Sequence, residues 1–332
     1  MKSRPVELNG VPIVPGSRLT LDLPVAKLYT HTPIAMPTHV VHGNEAGPHL
    51  FVCAAIHGDE LNGVEIIRRL LEVPQLKALR GMLIAIPIVN VHGLLHHSRY
   101  LPDRRDLNRS FPGSKRGSLA ARLANLFMTQ IVDNCSHGID LHTGPLHRSN
   151  LPHIRANLDD ATTLRLAKAF DVPVLLNSTL PDGSLRQAAA ERGVPTLLYE
   201  GGEGLRFDEK AIRTGLRGVL NVMMELGMLP GERTRLEHSF VARGSTWLRA
   251  PGSGILRTRI KLGTTVARGE LLGVVGDPFG DGEQALRANH DGILIGRAQL
   301  PLVNEGDALF HIARARGRDD EDITETDPLP GS

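Results

Sequence analysis

Between about residues 48 and 235, short uninterrupted apolar runs alternate with segments of helical period, and this alternation limits the possible folds more than any other feature. "HLFVCAAI" (49–56) precedes an amphipathic stretch at about 60–71, in which Val64, Ile67 and Leu71 recur at three- and four-residue steps. "MLIAIPIV" (82–89), "GIDLH" (138–142), "VPVLL" (172–176) and "PTLLY" (195–199) read as further strands. Helices are expected near 118–133, 159–170, 184–192 and 208–229. A strand that is apolar at every position is covered on both faces. The expectation is therefore an α/β fold, with a mixed, mostly parallel sheet flanked by helices.

After about residue 236 the character changes to Gly-, Thr- and Val-rich sequence, with turn signals every eight to twelve residues and no helical period. That pattern reads as a small β-sandwich or barrel. The expected organisation is a catalytic domain over 1–236, a β-rich domain over 237–314 and an acidic, flexible tail over 315–332. A length of 332 residues fits one large domain and one smaller one.

A formal net charge of +2 gives no case for nucleic-acid or membrane binding, so neither partner is expected. No run approaches the roughly 18 apolar residues of a membrane span. The N-terminus has no signal-like apolar core, and two cysteines imply no disulfide framework. Cys53 reads as a small core residue. The expected location is cytoplasmic, with a homo-oligomer left open.

Four apolar runs end on residues able to do chemistry: Ile56 on His57, Val89 on Asn90, "GIDL" on His142 and "TLLY" on Glu200. In open α/β sheets ligands bind beyond the carboxyl ends of strands, so these residues can converge. A His-x-x-Glu spacing across a strand-to-helix turn can place His57 and Glu60 on one cation, with His142 as third ligand. The alternative is that Asp59 or Glu60 caps the following helix. Asp140, two residues before His142, shares its face of the strand and can accept a hydrogen bond from a ligand imidazole. Glu200 can act as general base and then proton donor, with Glu203 as a competitor among glycines. "SRYLPDRRDLNRSFPG" (98–113) concentrates arginines suited to a planar grip on carboxylate, although a solvated surface or a phosphate site fits the same composition.

In this order, His57-x-x-Glu60, "DLNRSFPG", "DLHTG" and "YEGG" resemble the succinylglutamate desuccinylase/aspartoacylase family of zinc carboxypeptidase-like hydrolases. The resemblance implies one Zn2+ per chain, held by His57, Glu60 and His142, with Glu200 as general acid/base. It implies that Asn108 and Arg109 hold a substrate carboxylate, and that Arg99 polarises the scissile carbonyl, with Arg104 and Arg105 as alternatives. Asp59 is then left with the helix cap. Region 238–312 looks like the family's β-rich domain over the active-site mouth; it also resembles biotinyl/lipoyl-type barrels, without an evident carrier lysine. The expected activity is zinc-dependent hydrolysis of the amide of a small, carboxylate-bearing N-acyl amino acid. The alternatives are a zinc carboxypeptidase acting on peptides or cell-wall fragments, and a non-catalytic small-molecule binding protein with this fold.

Overall fold

The computed structural model describes residues 3–233 and 239–314. The expected boundary at 236/237 and the acidic tail 315–332 lie outside the described residues. A small hairpin, β1 (Val6–Leu8) and β2 (Val11–Ile13), comes first. Then follow β3 (Arg18–Lys27), β4 (Pro33–His42), β5 (Glu45–Ala54), α1 (Asn62–Leu70), β6 (Arg80–Ile86), α2 (Val91–Leu95), α3 (Leu119–Gln130) and β7 (His137–Gly144). The α/β part closes with β8 (Arg148–Ala156), α4 (Ala161–Phe170), β9 (Val174–Asn177), α5 (Leu185–Glu191), β10 (Thr196–Glu203) and α6 (Glu209–Glu225).

Strands β6, β5, β7 and β10 run parallel side by side, flanked by antiparallel β4 and β8. The continuous apolar sequence of β5 is explained by its two faces. Leu50, Val52 and Ala54 enter the core under α1, α4 and α6, where Ile66, Ile67 and Val219 are buried. Phe51 and Cys53 enter the opposite core, against Leu123 and Phe127 of α3. Because successive strand residues point to opposite faces, covering both faces demands an apolar residue at every position.

The C-terminal part is all β: β11 (Phe240–Ala242), β12 (Gly244–Arg249), β13 (Gly254–Arg257), β14 (Thr265–Val266), β15 (Leu271–Gly276), β16 (Gln284–Arg287), β17 (Gly292–Ala298), β18 (Leu302–Val303) and β19 (Ala308–Arg314). Four of these strands form a separate sheet in the order β16-β15-β13-β18. The others extend the main sheet. β17 pairs antiparallel with β8, placing Gly296 opposite Asn150, and β19 and β12 follow outward to complete a 13-stranded sheet. Sequence patterning predicts the β character of this region but not its continuity with the main sheet. Pairing between residues about 150 positions apart leaves no local signature. Among the described residues no helix is long and apolar enough to cross a membrane.

Candidate metal centre

His57, His142 and Glu200 stand at or just beyond the carboxyl ends of β5, β7 and β10, three strands that are adjacent in the sheet. The loop after β5 begins with Ala55 at φ +50 and carries His57 and Glu60 inward, both almost fully buried. Gly58 is required here by crowding, since a Cβ would lie 1.9 Å from the carbonyl carbon of Gly93.

The expectation of a cap from Asp59 fails. α1 starts at Asn62, its N-cap is Leu61, and no side chain accepts a cap hydrogen bond. Asp59 instead accepts from Leu205 N–H through its backbone carbonyl (2.8 Å), while its buried Oδ1 has no hydrogen-bond partner among the described residues. Asn90 also stands apart from the cluster, accepting from Gly93 N–H (2.8 Å) as the cap of α2.

Side-chain donor atoms of His57, Glu60 and His142 lie within 4.8 Å of one another. Glu60 Oε1 is 2.6 Å from His57 Nδ1, and Glu60 Oε2 is 2.8 Å from His142 Nδ1. Thr143 N–H donates to Glu60 Oε2 (3.0 Å) and fixes the carboxylate. The far side of each ring also meets an acid: His142 Nε2 lies 2.8 Å from Asp140 Oδ2, and His57 Nε2 lies 3.0 Å from Asp106 Oδ1. Cys53, a core residue as expected, turns its S–H to the other Asp140 oxygen (3.4 Å).

The chemistry of this set fits a cation. Burial favours neutral imidazoles, yet Asp140 and Glu60 outweigh it and hold His142 well above its usual pKa. Burial likewise opposes ionisation of Glu60, but the two imidazoles hold it well below the usual carboxylate range. If each ring keeps its proton on the nitrogen facing Asp140 or Asp106, both Nδ1 lone pairs point at Glu60. Three buried acceptors then face one another and need positive charge between them. A zinc ion suits such a nitrogen and carboxylate donor set, oriented by the outer acids.

Arg99 reaches this centre. Its Nη1 lies 3.3 Å from His57 Nδ1 and 3.5 Å from Glu60 Oε1, and its Nε and Nη2 donate to Asp106 Oδ2 at 3.2 and 3.0 Å. Arg105 instead lies 4.0 Å from Asp103 and is exposed, as is Arg104. Asp106 is the residue that sequence reasoning missed, although it opens the quoted "DLNR". It bridges His57 and Arg99 and accepts from Asn108 N–H (2.8 Å). Burial alone would raise its carboxyl, but His57 and Arg99 hold it well below the usual range. Asn108 is buried, with Oδ1 accepting from Leu185 N–H (2.9 Å) at the start of α5. Arg109 is exposed and donates to the Asn108 carbonyl (2.8 Å), so neither residue touches the three clustered side chains in the hydrogen bonds described.

Glu200 is paired in register with His142 on β7 and with His153 on β8. Burial pushes its carboxyl up to about 7, and its Oε2 accepts from Asn150 Nδ2 (3.0 Å). Glu203 faces Arg206 at 3.5 Å instead. Asn62 braces this strand end, donating to Gly201 O (3.3 Å) and accepting from Asp208 N–H (2.8 Å).

The succinylglutamate desuccinylase/aspartoacylase catalytic-domain profile matches residues 46–226, a span containing all of these side chains. The chain belongs to this family. The N-alpha-acetyl-L-2,4-diaminobutyric acid deacetylase of Halomonas elongata is 28% identical to it over 294 residues, covering 84% of this chain and 86% of that one. The product-bound ectoine utilization protein EutE (DoeB) of Ruegeria pomeroyi superposes with a TM-score of 0.81 at 26% identity, covering 93% and 98% of the two chains. A family member from Rhodobacter sphaeroides superposes at 0.79 with 24% identity over 90% and 96%, a likeness of fold. The mixed sheet with its β-rich C-terminal region is thus the fold of this family.

Proposed function

We propose that this protein is a zinc-dependent deacylase that hydrolyses the amide bond of a small N-acyl amino acid. The observation that carries the reading is the convergence of His57, Glu60 and His142 beside a partly buried carboxyl, Glu200, on the neighbouring strand. His57, Glu60 and His142 would hold one zinc ion per chain. When bound, zinc supplies a Lewis acid and makes water at the site more acidic.

Glu200 takes a proton from the attacking water as its oxygen bonds to the acyl carbon. The C–N bond breaks and Glu200 returns the proton to the departing amine nitrogen, leaving a carboxylic acid and a free amine. Arg99 donates to the oxyanion that develops on the acyl oxygen. Asp140 and Asp106 keep the two imidazoles oriented, and Asn108 and Arg109 bind a carboxylate of the substrate. The C-terminal strands from β11 to β19 act as a lid over the mouth. Two unpaired cysteines, Cys53 and Cys135, suit a reducing cytoplasm.

The zinc-loaded protein is expected to hydrolyse N-acetyl and N-succinyl amino acids in preference to peptides, measured by release of free amine. Turnover confined to peptides would replace this reading with a carboxypeptidase. Zinc-loaded protein inert on every amide would leave a binding protein. Arg99→Met is expected to cost about 2.7–4 kcal/mol of barrier, a fall in kcat of about 10²–10³-fold. Steady-state kinetics check this, and an unchanged kcat would remove Arg99 from the reaction.

A further inference from the structure

Glu200 is the last residue of β10 before its pairing slips on both sides. Towards β7 the register moves after the Glu200–His142 pair, and towards β8 it moves after the Glu200–His153 pair. The ladder therefore fixes the backbone of Glu200 but leaves its carboxylate to be held by a side chain. His153, the partner in register, is turned elsewhere. Its Nδ1 bonds to the Leu151 carbonyl (2.7 Å), and burial lowers its pKa to about 4, so the ring is neutral near pH 7.

The slip on β8 has a local cause in the sequence. Leu151 and Pro152 together stand opposite a single residue, Gly201. Proline has no N–H for the ladder, so inside a sheet it settles at such a bulge, and a bulge re-aims the neighbouring side chain. Asn150, opposite Gly202 in register, is thereby turned to Glu200 and donates from Nδ2 to Oε2 (3.0 Å). The C-terminal strand β17 closes the other side of Asn150. It carries an extra residue of its own, Ile295, and sets Gly296 opposite Asn150. A Cβ on Gly296 would lie 3.0 Å from Asn150 Oδ1 and 2.9 Å from His311 Cβ. So close an approach of β17 leaves the Asn150 amide little room to swing away from Glu200.

We propose that Asn150, confined between Gly296 and Glu200, is a positioning residue for the acid/base carboxylate, so that the C-terminal strands take part in the proton transfer as well as covering the mouth. Its amide N–H keeps Oε2 an acceptor throughout. Oε1 is then the oxygen that takes the proton from water and returns it to the departing amine nitrogen. This role rests on the deacylase reading and assigns to one side chain the orientation which that reading requires of Glu200.

The test uses the zinc-loaded full-length protein and N-acetyl amino acids. Asn150→Ala is expected to lower kcat about 10- to 100-fold, the usual worth of a hydrogen bond to a charged group, with KM within about two-fold of wild type. Zinc content should match wild type. Asn150→Gln, which keeps an amide donor on a longer arm, should retain more of kcat than Asn150→Ala. In a Glu200→Gln background Asn150→Ala should cost nothing further, because residues that act as a unit are not additive. Gly296→Ala should lower kcat by displacing the amide, and adding Asn150→Ala should remove that separate penalty. Infrared difference spectra of wild type against Glu200→Gln isolate the Glu200 carboxylate band, which Asn150→Ala is expected to shift. An unchanged kcat in Asn150→Ala, or a loss as large in the Glu200→Gln background as in wild type, overturns the proposal while the deacylase reading stands. If no amide is cleaved, the deacylase reading fails. A band shifted by Asn150→Ala then still shows Asn150 holding the carboxylate, and an unmoved band overturns the proposal as well.

Discussion

His142→Ala is expected to remove zinc and activity together and to leave the metal-free chain less stable than wild type. The imidazole supplies one of three candidate ligands, and both its nitrogens meet buried acids at 2.8 Å, Glu60 and Asp140. Deleting it leaves those carboxylates buried without their partner, and breaking a buried ionic set in this way costs about 3–5 kcal/mol. Two remaining ligands hold zinc too weakly to survive dialysis, so the zinc-to-chain ratio by elemental analysis should fall from near one to near zero. Asp140→Asn separates the two effects. It keeps all three ligands and disturbs only the orientation of His142, so metal affinity should fall about 10–100-fold while the fold persists. In wild type, a chelator should abolish turnover and added zinc restore it. Full zinc occupancy in His142→Ala would remove that residue from the metal site.

The parts of this centre that sequence reasoning reached are those written into single strands. His142 follows "GIDL" because β7 is covered on both faces until it leaves the core, and Glu200 follows "TLLY" for the same reason on β10. A break from apolar to polar at a strand end is visible without knowing which strands are neighbours. What was not legible depends on that neighbourhood. Asp106 lies 49 positions from His57, and nothing local marks it as the acid behind that ring. Asn150 reaches Glu200 across β8 and β10, while Gly296 meets Asn150 only because β17 joins the main sheet. Asp59 misled for a related reason. An acid before a helix normally caps it, but the chain here turns inward to deliver Glu60, and the helix starts after Leu61 with no side-chain cap. Local propensity gives way at this loop to the packing of His57 and Glu60, as is common where a fold carries its chemistry.

Glu200→Gln is expected to keep zinc at wild-type stoichiometry while kcat falls about 10²–10⁴-fold, the usual worth of a positioned acid/base. The substitution preserves shape and leaves an oxygen for the hydrogen bond from Asn150, so a loss confined to kcat points to the missing proton acceptor rather than to a displaced strand. The pH profile makes the assignment sharper. Burial raises the Glu200 carboxyl to about 7, with Glu60 adding to the effect and His142 and Arg155 opposing it. Below that pKa the group holds its proton and cannot accept one from water, so kcat/KM should fall as pH drops through it. A zinc ion among His57, Glu60 and His142 adds positive charge nearby and pulls the carboxyl down. The acid limb of the zinc-loaded enzyme should therefore lie at or below about pH 7, and Glu200→Gln should lose it. Retention of both the wild-type rate and the acid limb in this variant would hand the role to another group. Glu203 is a poor candidate, since it faces Arg206 at 3.5 Å and sits beyond the register that places Glu200 beside His142.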